Sequence, residues 1–103
     1  MPRWLPKTLA RIRELAKAGR VRITLKARRE PAQLDLGLDE EHACEILAAL
    51  EPADLFERRA SDVTLEWMYV FKPRVAGIVA YVKVILRGDC VVISFHEDEE
   101  EER

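Results

Sequence analysis

Two apolar, β-branched runs near the end of the chain, IVAYVKVILR at residues 78–87 and CVVISFH at residues 90–96, are separated only by Gly88 and Asp89. So short a connection obliges the two strands to lie back to back as a hairpin, and a tight turn sets the register of every pair behind it. Counting outward from a two-residue turn predicts Arg87 opposite Cys90, Leu86 opposite Val91, Ile85 opposite Val92 and Val84 opposite Ile93. The same count then sets Lys83 opposite Ser94, Val82 opposite Phe95 and Tyr81 opposite His96. Because strand side chains alternate between faces, Val82, Val84, Leu86, Val91, Ile93 and Phe95 form one apolar surface that a core must cover. Tyr81, Lys83, Ser94 and His96 are left together on the other face, at the end remote from the turn.

The elements before the hairpin supply the cover. Leu9, Ile12, Leu15 and Ala16 recur at helical spacing between Lys7 and Gly19, which predicts an amphipathic helix over about 7–18. RVRIT alternates as one short strand, and Thr24 can cap a second helical piece ending near DLGL. Asp39 is a good N-cap for a third helix, whose Cys44, Leu47 and Ala48 form a stripe and whose first turn is acidic. His42, in that turn, has no second ligand-type residue beside it at metal spacing. After Glu51-Pro52 the composition shifts to Val, Ile and aromatic residues. DLFERRA reads as an extended segment, TLEWMYVFK as a strand whose Trp67, Tyr69 and Phe71 share a core-facing side, and PRVAG as an exposed loop carrying Lys72 and Arg74. Helices first and consecutive strands later give an α+β domain, with the amino-terminal helices packed on one face of a mainly antiparallel sheet. Trp4, ahead of the first helix, can stack on a base or pack at the sheet edge.

A chain of 103 residues with 49% hydrophobic content holds one core. No run is long enough to cross a bilayer and the charged start is unlike a signal peptide, so a cytoplasmic protein without a membrane partner is expected. Cys44 and Cys90 are far apart and read as buried thiols, not as a disulfide or a zinc site; no metal and no cofactor are expected. The formal charge of −2 is unevenly spread, since six of the 19 acids and one of the 17 bases follow His96. Residues 1–96 are therefore expected to form the domain, with a net positive charge, and residues 97–103 an acidic, disordered tail. Ten Lys or Arg against Glu14 and Glu30 crowd the first thirty residues, a concentration that attracts phosphate backbones or an acidic protein surface as readily as it solvates a helix face.

A phenol, an ammonium and an imidazole within cross-strand reach can cleave RNA: the imidazole moves the 2′-hydroxyl proton, the ammonium stabilises the phosphorane, and the phenol donates a hydrogen bond or a proton. The same residue types also make an ordinary solvent face. The order and spacing of PKTLARIRELAKAGRVRIT, LGLDEEHACEILAAL, ADLFE, WMYVFKPR, YVKVIL and VVISFHEDE resemble, over nearly the whole chain, the MqsR family of toxin–antitoxin toxins, which are mRNA interferases with a RelE-like fold. The resemblance implies a sequence-selective, metal-independent endoribonuclease that cuts single-stranded mRNA and is held inactive by a cognate antitoxin protein.

Carried over by position, the family's YxK tyrosine and lysine correspond to Tyr81 and Lys83, and the basic residue after SF to His96, giving the expected catalytic set. Arg58, Lys72 and Arg74 are the expected phosphate contacts. The family commonly shows DFYKS and WQDVY, where the lysine and glutamine have active-site roles; here those places hold Glu57 and Met68. The departures leave open whether Arg58 or Arg59 restores the positive charge. They also leave open a weakened family member acting mainly through an antitoxin and repressor complex, or a nucleic-acid-binding module without catalysis. Were Met68 opposite Tyr81, Glu66 would fall near Lys83 and could orient it.

Overall fold

The computed structural model describes residues 2–29 and 40–98. Helix α1 spans Leu5–Lys17 and buries Leu5, Leu9, Ile12, Leu15 and Ala16 along one stripe, while Lys7, Arg11 and Lys17 face solvent. It starts two residues earlier than the periodicity suggests, because Pro6 falls in the first turn, where its missing N–H leaves no helical bond unmade. Gly19, at φ +74°, ends it, and Arg20 N donates back to Leu15 O at 2.8 Å. Strand β1, Val21–Ile23, follows at once, and Thr24 Oγ1 accepts from Ala27 N at 3.2 Å to cap α2, Leu25–Arg29. Helix α3 is Glu40–Ala48, with Glu40 and Glu41 in its first turn. Its buried residues are Ala43 and Leu47, while Cys44 is half-buried, so the core stripe is rotated by one position from the expected one. The proposed cap Asp39 and the segment DLGL lie outside the described residues. Arg13 of α1 donates from Nε to Leu50 O at 2.9 Å, fastening α1 to the chain just after α3.

A single 3₁₀ turn, Pro52–Asp54, leads into β2, Leu55–Ala60, and then β3, Trp67–Phe71; β4, Arg74–Val75; β5, Ile78–Leu86; and β6, Cys90–Glu97. The sheet order is β1-β6-β5-β3-β2, with β4 pairing β5; every pairing is antiparallel except β1 with β6. Residues from α1, α2 and α3 join Ala80, Val82, Val84, Val92 and Phe95 in one buried cluster, so the helices cover one face, as an α+β chain of this pattern requires. Residues 73–77, read from sequence as a loop, instead form a hairpin: Val75 pairs with Ile78, and Ala76 and Gly77 both take positive φ (52° and 80°), as a type I′ turn demands.

The β5–β6 hairpin departs from the two-residue turn in an instructive way. Leu86 pairs with Cys90, so Arg87, Gly88 and Asp89 form a three-residue loop, with Gly88 at φ +86° and Arg87 N donating to Asp89 O. Ile85 then faces Val91 and Val84 faces Val92, one residue out of the expected register. A bulge at Ile93 restores it, and Lys83–Ser94, Val82–Phe95 and Tyr81–His96 pair as expected. The helix-covered face therefore carries Cys90 and Val92 rather than Val91 and Ile93; Val91 lies on the opposite face with Ile85 and Val70, all three still buried. Without the bulge the slip would drive Ser94 into the core and Phe95 into water, and the extra residue avoids both costs. The sheet also outlasts its expected end: Glu97 belongs to β6, and Asp98, with 7% exposure, donates its N–H to Val79 O at 2.9 Å.

Candidate active site

The sheet face turned away from the helices collects the polar residues of β5 and β6. Tyr81 and His96, a cross-strand pair, stack their rings almost in parallel, with centroids 4.7 Å apart and planes inclined by 10°. His96 Nδ1 lies 2.8 Å from Glu97 O. A carbonyl can only accept, so Nδ1 carries the proton and the lone pair of the neutral ring sits on Nε2. Lys83, two pairs nearer the turn and on the same face, holds its ammonium 5.8 Å from the Tyr81 ring centroid. Opposite Lys83, the hydroxyl of buried Ser94 accepts from Lys26 Nζ at 3.0 Å. Imidazole, phenol and the Lys83 ammonium are thus gathered on β5 and β6, and Lys26 reaches in from α2.

Strand β3 extends the face. Val70 pairs with both Lys83 and Glu57, so Glu57, Val70, Lys83 and Ser94 form one row across four strands. Glu57 accepts from Arg59 Nε at 2.6 Å. That bond raises the Arg59 pKa, with the Glu57 charge, Tyr81 and Asp62 adding to it. Met68 pairs with Arg59 and, one step along the register, lies toward Ile85 rather than Tyr81. Glu66 accordingly reaches Arg87, not Lys83, in a two-pronged pair at 2.6 and 2.8 Å that pulls its carboxyl down to about 2.

The three expected phosphate contacts do not assemble as one group. Arg58 pairs with Tyr69, a core residue, and its guanidinium sits between Trp4, at 4.5 Å, and Trp67, at 3.9 Å from the ring centroids. It lies on the helix-covered side, where the planar cation fills the gap between two indoles; Arg59, the next residue, is the one on the Tyr81 side. Trp4 packs against Tyr69, 5.5 Å between centroids. Lys72, just past the end of β3, is half-buried and not exposed: it reaches Asp98 Oδ2 at 3.1 Å and covers the Phe56 ring at 3.6 Å. Arg74, in β4, is exposed and lines a pocket of about 440 Å³ with His42, Glu45, Glu51 and Asp54. Among the described residues no group of three His, Cys, Asp or Glu could hold a metal ion, and no helix is long and apolar enough to cross a membrane.

Sequence reasoning missed Lys26 and Asp98, and offered Arg59 only as an alternative to Arg58. Lys26 depends on the parallel β1–β6 pairing, for which a three-residue strand carries no local signal; Asp98 looked like one more acid of a charged run. Burial raises both thiols, Cys44 with help from Glu40 and Glu41, and Cys90 to about 12.

Residues 6–97 match the family described as motility quorum-sensing regulator, toxin of MqsA. The chain is also 31% identical over 91 residues, 86% of its own length and 90% of the relative's, to a protein of Escherichia coli (strain K12) named mRNA interferase toxin MqsR. With the family model covering nearly all of the described chain, the protein belongs to the MqsR toxin family.

Proposed function

We propose that this toxin is an endoribonuclease that cleaves single-stranded mRNA by general acid–base chemistry on the outer face of β5 and β6, and thereby inhibits translation. The observation that carries the reading is the Tyr81–His96 stack, with Nδ1 of the imidazole tied to the backbone and Lys83 alongside. His96 Nε2 takes the 2′-hydroxyl proton, Lys83 stabilises the negative charge developing on the phosphorane, and the Tyr81 phenol donates a hydrogen bond to the same oxygens or a proton to the leaving 5′-oxygen. These side chains supply base, charge stabilisation and acid between them, which supports cleavage without a metal ion. Arg59 and the partly covered Lys72 would guide the phosphate backbone along the face, while Arg58 serves the fold and Arg74 lies apart in the pocket beside α3. A cognate antitoxin, met in the cytoplasm, is the partner this reading expects, and the family's description as a toxin of MqsA supports it.

Single variants test the reading. His96→Gln, Tyr81→Phe and Lys83→Ala should each lower RNA cleavage, roughly 100-fold or more for His96→Gln, while their circular-dichroism melts stay close to the parent's. If His96→Gln melts early and cleaves at the parental rate when folded, the histidine is structural and the mechanism fails. Glu57 on the row of Lys83 favours a second reading, a weakened nuclease acting mainly through its antitoxin complex. A Glu57→Lys variant that raises cleavage at least tenfold would favour that alternative; an unchanged or lower rate supports a competent site.

A further inference from the structure

Lys26 stands in none of the roles assigned so far, and its position is built with care. Strand β1 runs parallel to β6 only as far as Ile23 opposite Val92, and Thr24 N then closes the pairing by donating to Val92 O at 3.1 Å. There the capped helix α2 takes over the edge of the sheet and packs along the second half of β6. Ala27 turns fully into the core, while Lys26, exposed along its stem, brings Nζ to within 3.0 Å of Ser94 Oγ. Ser94 is only 2% exposed and stands between two lysines: Lys83 across the strand pair on one side and Lys26 from α2 on the other. His96, two residues along on the same face, completes the neighbourhood.

We propose that Lys26 is a further substrate-binding residue of this site, contacting an RNA phosphate adjacent to the scissile one, with Ser94 as the positioning residue that aims it. The proposal rests on the nuclease reading above. An ammonium carries three protons, so contact with a phosphate oxygen does not require the bond to Ser94 to be given up. Lys83 and Lys26 belong to elements on either side of β6, and strands lie roughly 4.8 Å apart. The two ammonium groups are therefore spread across the strand direction. A single-stranded backbone crossing β5, β6 and α2 would meet Lys83 at the reacting phosphate and Lys26 at its neighbour. The serine is the hinge of the arrangement, because it is too short to reach substrate beyond two lysines but well placed to hold one of them.

A merely structural clamp between α2 and β6 would behave differently from a phosphate contact, and salt separates them. A 2′-O-methyl oligonucleotide, which cannot be cleaved, serves as the probe in binding titrations over a range of salt, beside cleavage kinetics on ordinary RNA. Lys26→Gln keeps a donor for Ser94 but removes the charge. It should weaken probe binding about 3- to 10-fold and reduce the slope of log K against log salt by about 0.7, the share of one phosphate contact on a single strand. It should also raise KM with kcat within about twofold, leave the melt in place, and be rescued by Lys26→Arg. Ser94→Ala should give a smaller loss of the same kind, and Lys17→Gln, the same charge change on exposed α1, no loss of slope. If Lys26→Gln keeps the parental slope in a protein that does cleave RNA, or if Lys17→Gln lowers the slope equally, the assignment is wrong. Failure of the parent itself to bind or cleave RNA overturns the nuclease reading and the assignment with it.

Discussion

Asp98 offers the sharpest test of how the sheet is held at its functional end. Its side chain is 6% exposed and pairs at 3.1 Å with Lys72, whose side chain is 17% exposed. At that distance and an effective dielectric of about 20 the gross attraction is roughly 5 kcal/mol. Much of it offsets the desolvation of both groups, so the pair's net worth against water is small. Removing one partner is another matter, since a covered charge then has no counter-ion, a loss of about 3–5 kcal/mol for a fully buried pair. Lys72 keeps its contact with the Phe56 ring and some access to water, which brings the expected loss for Asp98→Asn down to about 2 kcal/mol. For a domain of this size that lowers Tm by roughly 8–16 °C, measured by calorimetry or circular dichroism. Deleting residues 99–103 should leave the melt unchanged, whereas ending the chain at His96 should lower it further than Asp98→Asn, because the Asp98 N–H bond to Val79 O goes as well. An Asp98→Asn protein melting within 2 °C of the parent would refute the argument.

Other expectations follow from the same geometry. Val92→Thr, which buries a hydroxyl in the core, should cost about 1–3 kcal/mol in chemical denaturation and Ile93→Thr under 1 kcal/mol, and the reverse order would mean that the bulge is misplaced. With its pKa pushed up to about 12, Cys90 should resist iodoacetamide at pH 8 until the chain unfolds. Because the raised value favours the protonated thiol in the folded state, its contribution to stability is intact below the ordinary value of 9.0 and is lost as pH climbs from there toward about 12. Glu66, held at about 2 by Arg87, works in the opposite sense: its contribution is present above the ordinary value of 4.5 and disappears as pH falls toward 2, so Glu66→Gln should flatten the acid limb of the stability curve between those limits.

The architecture was legible where alternation was strong. The apolar rows of β5 and β6 announced a hairpin and a covered face, and the helical stripe of α1 announced the cover. Tyr81 and His96 were paired correctly through two errors of opposite sign: the loop is one residue longer than Gly88-Asp89 implied, and the bulge at Ile93 takes the residue back. Neither leaves a clear mark in sequence, because Val91, Val92 and Ile93 are equally apolar and only packing chooses among them. The partners of Glu66, Arg58 and Lys26 were out of reach for a different reason. Each depends on a register that no tight turn fixes: β2 with β3 and β3 with β5 are joined by longer connections, and β1 and β6 lie at opposite ends of the chain. Asp98 shows how composition misleads, since six consecutive acids suggested a solvated tail while the second of them is buried against a lysine.

Incubation of the purified protein with a long single-stranded RNA in EDTA, followed by analysis of the fragment ends, bears most directly on the central claim. A base–acid mechanism at Tyr81, Lys83 and His96 predicts fragments with 2′,3′-cyclic phosphate and 5′-hydroxyl ends, produced at the parental rate in EDTA and lost with His96→Gln. Intact RNA, cleavage only after a divalent metal is restored, or fragments with 3′-hydroxyl ends would contradict it.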